Sequence, residues 1–262
     1  MRAGNETPKT MEAGGPEVFY LLFLLALAAA AIDAMAGGGG LLTLPGLMSA
    51  GLDPLSAFAT NKLQSVFGPA SATLQFRRKG RVRFRDHLLP AATCFVSAAC
   101  GAACVSILDP GLLKSAIPFV LIGVAVAVIA RPDLGEVERE ARLSRRTGAL
   151  TVIPLIAFYD GFLGPGTGSF FALAAVAFLG AGLAEATISA KIYNFMSNLG
   201  ALLFFISGGH ASWTYGAAMA AGTVIGGNIG ARLVLKHGAR IIRPVLFAMS
   251  LAMSVKLLWR QG

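Results

Sequence analysis

IDAMAGGGGLLTLPG, residues 32 to 46, sets an aspartate and four consecutive glycines inside a run otherwise apolar enough to cross a membrane. The surrounding chain makes that setting unavoidable. Hydrophobic residues are 55% of the 262, charged residues 13%, and mean hydropathy is +0.69, whereas soluble domains carry about 25% charged residues. The apolar runs are long, rich in Leu, Ala and Gly, and lack the period-2 alternation of an outer-membrane barrel, so the spanning element is the helix. Glycine gives a helix neither a side chain to shield its backbone nor a stiff dihedral, so Gly37, Gly38, Gly39 and Gly40 mark a break at membrane depth.

Apolar segments fall at about 18–36, 41–50, 55–76, 88–107, 112–130, 148–163, 168–182, 186–207, 212–235 and 243–259. A span needs about 20 residues, so 41–50 and 168–182 are too short to cross alone. Each follows a glycine-rich break, which makes helix, break and short helix one discontinuous or re-entrant unit. About eight full spans remain.

The chain also repeats itself. Residues 32–39, IDAMAGGG, match 159–166, YDGFLGPG, at an offset of 127 that pairs Asp33 with Asp160. Ala59-Thr60 matches Ala186-Thr187 at that offset; after a two-residue insertion the offset is 129, which pairs Lys62 with Lys191 and Gly101-Ala102 with Gly230-Ala231. Two homologous halves are expected at 18–130 and 148–262, after a disordered polar tail (1–17) that lacks a signal-peptide cleavage pattern, and joined by a basic linker (131–147). Six Lys or Arg lie between residues 77 and 87, five in the linker and three at 236–243, against none at 108–111 or 208–212. The positive-inside rule puts the first three regions, linker included, in the cytoplasm. Residues 77–87 and 208–212 are equivalent yet fall on opposite sides, so the repeats are expected to be inverted, as in secondary transporters. The fold class expected is an all-α polytopic membrane protein of about eight transmembrane helices in two inverted-topology repeats, each opening with a broken or re-entrant helix.

Chemistry gathers at the breaks. A helix restarting after Gly37–Gly40 or after Gly164-Pro165-Gly166-Thr167-Gly168 exposes free N–H groups, and two such starts facing one another would form an anion site. Close packing of small residues is the alternative for a lone glycine cluster; the mirrored position of two favours the site. Lys62 and Lys191 sit inside apolar segments, where an ammonium is costly without a partner or a task. Snorkelling explains one such lysine more easily than an equivalent pair. As substrate-binding groups the lysines would oppose the charge of an anion, with Thr60, Asn61, Gln64, Ser189, Asn194 and Asn198 as hydrogen-bond partners. Asp33 and Asp160, one turn before each break, are the candidates for ion coupling or gating, and purely structural pairing is an equal alternative.

Other chemistries lack their residues. His87, His210 and His237 lie in or near connections, and HExxH, GxSxG and Walker A patterns are missing, which leaves no catalytic residue and no intrinsic ATP-driven pump. An intramembrane aspartyl dyad would want a Gly-x-Gly-Asp setting that neither aspartate has. Cys94, Cys100 and Cys104 share one apolar segment and read as small buried hydrophobes, not metal ligands or a disulfide. The cations follow topology, with no interleaved aromatics suited to nucleic acid.

Asp33-Ala-Met-Ala-Gly-Gly-Gly-Gly-Leu41, Ala57-Phe-Ala-Thr-Asn-Lys62, Tyr159-Asp-Gly-Phe-Leu-Gly-Pro-Gly-Thr-Gly168 and Ala186-Thr through Lys191 together resemble the sulfite exporter TauE/SafE family of membrane permeases, in its YfcA-like branch. The resemblance runs from about residue 18 to the end of the chain. It implies a multi-pass protein of the bacterial inner membrane that moves small sulfur-containing anions such as sulfite, sulfonates or sulfoacetate, without naming one. The partners expected are a small anionic solute and the lipid bilayer, with no cofactor, no metal and no nucleic acid; a homo-oligomer is left open. A secondary transporter, with H⁺ coupling as one option, is the leading reading, a passive anion channel the alternative, and a non-transporting scaffold the weakest.

Overall fold

The computed structural model describes residues 15–109, 111–113, 115, 117, 119, 140–238 and 240–241. The expected tail 1–17, the segments 112–130 and 243–259 and the linker 131–147 lie wholly or largely outside these residues. Among the described residues every regular element is helical.

Helix α1 (Pro16–Ala36) starts on a proline, whose missing N–H costs nothing in a first turn, and stops where Gly37 and Gly38 turn to positive φ, 81° and 85°. After that break comes the short α2 (Gly40–Ser49), then α3 (Pro54–Arg78), capped by Asp53 through the N–H groups of Leu55 and Ser56. A 3₁₀ turn (Phe84–His87) leads into α4 (Leu88–Ser106). The second half runs α5 (Arg145–Leu150), α6 (Val152–Phe162), α7 (Thr167–Leu179), α8 (Leu183–Ser207) and α9 (Trp213–His237). The short helices α2 and α7 fall where the sequence demanded half-helices.

The apolar segment 148–163 is not one helix. It is divided at Thr151 (φ −126°, ψ −82°), which brings Pro154 into the first turn of α6, where no backbone donor is required. Helix α5 itself begins at Arg145, inside the stretch expected to be linker.

Three helical stretches among the described residues are long and apolar enough to cross a membrane: Pro16–Ala36, Phe84–Ser106 and Trp213–His237. Helices α3 and α8, 25 residues each, match them in length but carry polar residues in their interiors. Tyr20, Leu21, Leu88, Val96, Leu155 and Leu203 point outward and are more than 40% exposed, a surface that suits lipid and not water. Cys94 is buried as expected, but Cys100 and Cys104 are exposed on the outer side of α4. Their i, i+4 spacing does give them a common face; that face looks away from the core.

Helix pairs close through glycine. A Cβ at Gly222, Gly226 or Gly230 of α9 would strike the carbonyl oxygens of Phe23, Leu27 and Ala31 in α1, so the two backbones meet with nothing between them. Gly101 of α4 meets Phe158 of α6 in the same way. Gly101 is the counterpart of Gly230 at the 129 offset, and Phe158 that of Ala31 at the 127 offset, so one contact occurs twice with the halves exchanged.

Between these outer pairs α3 and α8 pack on each other. Apolar residues form two clusters, one including Ala57 and Phe58 of α3 with Ala201 and Phe205 of α8, the other Ala72 and Phe76 of α3 with Leu183 and Ile188 of α8. Thr60, Asn61, Lys62 and Gln64 lie between the clusters along α3, and Asn194, Ser197 and Asn198 between them along α8, where the clusters come in the opposite order.

Candidate functional site

The polar band holds the two lysines, and each pairs with the aspartate of the other half. Lys62 Nζ lies 2.7 Å from Asp160 Oδ1, both side chains 2% exposed. Lys191 Nζ lies 2.9 Å from Asp33 Oδ2 and also donates to the Asp33 carbonyl. An ammonium inside an apolar bundle is thereby neutralised on the spot, and the two bonds tie together halves that α3 and α8 also join.

The breaks that carry the aspartates cross each other. A Cβ at Gly37 would collide with the Ser169 N–H, and one at Gly40 would come within 3.5 Å of Pro165 Cα. Ser169 Oγ donates to the Ala36 carbonyl at 2.7 Å, so the start of α7 satisfies the frayed end of α1. At the second break, Tyr159 Oη donates to the Pro165 carbonyl at 2.8 Å and Thr167 Oγ1 to Asp160 Oδ1 at 2.8 Å.

A cavity of about 40 Å³ opens at this crossing. At about 10–15 Å³ per water-sized centre it takes roughly three or four such groups, the scale of a small oxoanion. Its walls include Asp33, Gly38, Gly39, Gly40, Asn61, Lys62, Gln64, Asp160, Gly164, Gly166, Thr167, Gly168, Asn194 and Asn198. Among the described residues the N–H groups of Gly38, Gly40, Gly166 and Gly168 donate to no acceptor, and all four glycines line the cavity. Asn61 accepts from Thr43 Oγ1 (2.6 Å) and Gln64 Nε2 (2.8 Å), which leaves its own Nδ2 free. Asn194 Oδ1 accepts from Asn198 Nδ2 at 2.7 Å, with the same result. Beside the Lys62 ammonium, which lines the cavity while held by Asp160, the donors open to an anion include these amides and the backbone of the two helix starts.

Four expected residues do not line it. Lys191 lies behind Gly168, turned to Asp33, and Gly37 is packed under Ser169. Thr60 instead accepts from Ser212 N at 2.9 Å and so fastens the start of α9, while Ser189 is half-buried away from the cavity. Thr43, Ser65 and Thr223 line the cavity unforeseen, and Ser197 donates to Asp160 Oδ2. Thr43 and Ser197 could have been found by stepping one turn from Gly40 and Asn194. Thr223 could not, since its position 129 residues from Cys94 carries no polar counterpart.

Comparison with known proteins identifies the family. The family described as Sulfite exporter TauE/SafE matches residues 22–257. A Haemophilus influenzae protein named "Probable membrane transporter protein" is 40% identical over 248 residues, covering 95% of this chain and 97% of its own length. "Probable membrane transporter protein YfcA" of Escherichia coli K12 is 42% identical over 254 residues, covering 97% and 94%. "Probable membrane transporter protein ORF9" of a Sinorhizobium species is 41% identical over 237 residues, covering 90% and 91%. No solved structure matches the chain. Membership follows from coverage of nearly the whole chain: the protein belongs to the sulfite exporter TauE/SafE family, among membrane transporters and not enzymes.

Proposed function

We propose that this chain is a secondary transporter of the bacterial inner membrane that carries a small sulfur-containing anion, such as sulfite, a sulfonate or sulfoacetate, through the cavity where its two helix breaks cross. The observation that carries the reading is the crossed pair of buried ion pairs, Lys62 with Asp160 and Lys191 with Asp33, around a cavity lined by unpaired N–H groups. A scaffold has no use for four charges in the core. A carrier does, because an arriving anion competes with a carboxylate for its lysine and loosens a bond between the halves.

In this reading 18–130 and 148–262 are two inverted repeats, joined by a cytoplasmic linker at 131–147, and alternating access comes from rocking one against the other. The exchanged contacts Gly230 to Ala31 and Gly101 to Phe158 support it, as does the opposite order of the apolar clusters on α3 and α8. Coupling or gating falls to Asp33, which lines the cavity at 16% exposure against 2% for Asp160.

The test is flux of labelled sulfite and methanesulfonate in proteoliposomes with an imposed pH gradient, comparing wild type, Lys62→Gln and Lys191→Gln. Saturable, gradient-driven flux lost in folded Lys62→Gln is expected. Unchanged flux in both variants removes the lysines from the pathway, and ohmic current in place of saturation makes the protein a channel. Cysteines at Lys79 and Gly209 should label from opposite sides; labelling from one side refutes the inversion.

A further inference from the structure

A second concavity lies at the far ends of α3 and α9. Its volume is about 690 Å³, within the usual range of ligand pockets, and it is lined by Gln75, Lys79, Arg81, Arg232, Leu235 and Lys236. Four cations therefore converge on one cleft. Among the described residues the ion pairs are the two in the core, so none of these four has a carboxylate partner. The floor is fixed by Gln75 Nε2, which donates to Asn228 Oδ1 of α9 at 2.7 Å.

The positive-inside bias accounts for cations at this end of the bundle but not for their convergence. Arg77, for comparison, is spent over the Phe84 ring, 5.1 Å from its centroid. At the 129 offset the counterparts of Lys79, Arg81, Arg232 and Lys236 are Gly208, His210, Ala103 and Ile107, so the four cations are not repeated at the equivalent positions of the other half.

What lies beside the cleft names its ligand. On α9 the residues Ile225, Ile229, Arg232 and Lys236 follow one another at spacings of four, three and four, which puts them on a single stripe. Ile225 and Ile229 are 45% and 44% exposed, and Leu74 on the adjoining turn of α3 is 45% exposed. Exposed apolar side chains thus continue the stripe of Arg232 and Lys236 along a helix that is apolar and long enough to span. A soluble anion would use the cations alone; a phospholipid would use both parts, acyl chain on the isoleucines and phosphate oxygens among the cations.

We propose that this cleft is a binding site for the phosphate group of an anionic phospholipid, held by Lys79, Arg81, Arg232 and Lys236 with its acyl chain on Ile225 and Ile229. It is separate from the transport cavity, so it stands whatever the solute proves to be.

The test is native mass spectrometry of the full chain, purified into phosphatidylcholine mixed with phosphatidylglycerol or cardiolipin, with inorganic phosphate and glycerol 3-phosphate as soluble probes. Wild type should retain the anionic lipids over phosphatidylcholine, and each cation removed should cut that preference about fivefold. The quadruple glutamine variant of Lys79, Arg81, Arg232 and Lys236 should lose it, while Arg83→Gln/Arg85→Gln, which changes exposed cations outside the cleft, should keep it. Unfolding temperature in phosphatidylcholine alone checks that the quadruple variant folds, and Arg232→Gln alone gives the fivefold step if it does not. Equal anionic-lipid retention in the cleft variants overturns the site. Stabilisation by the soluble phosphates without lipid preference also overturns it, and assigns the cleft to a free anion.

Discussion

The two ion pairs occupy equivalent places in the halves and are held very differently. Asp160 is enclosed: Lys62, Thr167 and Ser197 all donate to its carboxylate, and it is 2% exposed. Asp33 receives Lys191 and the Gly39 N–H at 3.1 Å and keeps 16% exposure. The cause lies in two residues. Where the second half has Thr167 the first has Gly40 at the 127 offset, and where it has Ser197 the first has Gly68 at the 129 offset. Two missing hydroxyls turn one anchor into a joint. The proposed carrier would then need no separate moving part, since one copy of a bond the chain has twice is the looser.

The sharpest way to break this contrast is Asp160→Asn. It leaves Lys62 charged and buried without a counter-ion, and a loss of about 3–5 kcal/mol is expected by thermal or denaturant unfolding in detergent, along with flux. Lys62→Met/Asp160→Leu should recover most of that stability and none of the flux, which separates folding from transport. Asp33→Asn should cost less, about 1–3 kcal/mol, because Lys191 keeps the Asp33 carbonyl as acceptor. It should also abolish the response of flux to a pH gradient. Equal destabilisation by the two asparagine variants would erase the distinction drawn here.

Smaller changes sharpen it. Gly164→Ala meets φ +91° and should cost about 1–2 kcal/mol with reduced flux. Thr167→Val removes one hydroxyl from Asp160 and should cost about 1 kcal/mol, and it should shift gating toward the looser behaviour of Asp33, read as a higher KM at little change in fold.

Much of this was legible in the sequence because its signals are expensive. A lysine or four glycines inside an apolar run demand a compensating structure, and so Lys62, Lys191, Asp33 and both breaks could be picked out without coordinates. What escaped reading was direction. Thr60 and Ser189 stand beside the site in sequence, yet at 100° per residue a helix turns one of them to α9 and the other out of the cavity. The exposed sulfurs of Cys100 and Cys104 taught the same lesson, since spacing gives a shared face but not what it faces. Thr151 was missed for another reason: the demand came from Pro154, three residues on.

The glycine teeth of α9 also constrain how this chain can vary in length. Gly222, Gly226 and Gly230 mesh with successive carbonyls of α1. One inserted residue between the first and last of them would rotate the remainder by about 100° and drive side chains into the α1 backbone. The connection around Gly209, where an added Cβ meets open space, can lengthen freely. Related chains should therefore tolerate insertions at that corner, while the eight-residue interval from Gly222 to Gly230 stays fixed even where the exposed residues within it, such as Val224, Ile225 and Ile229, change.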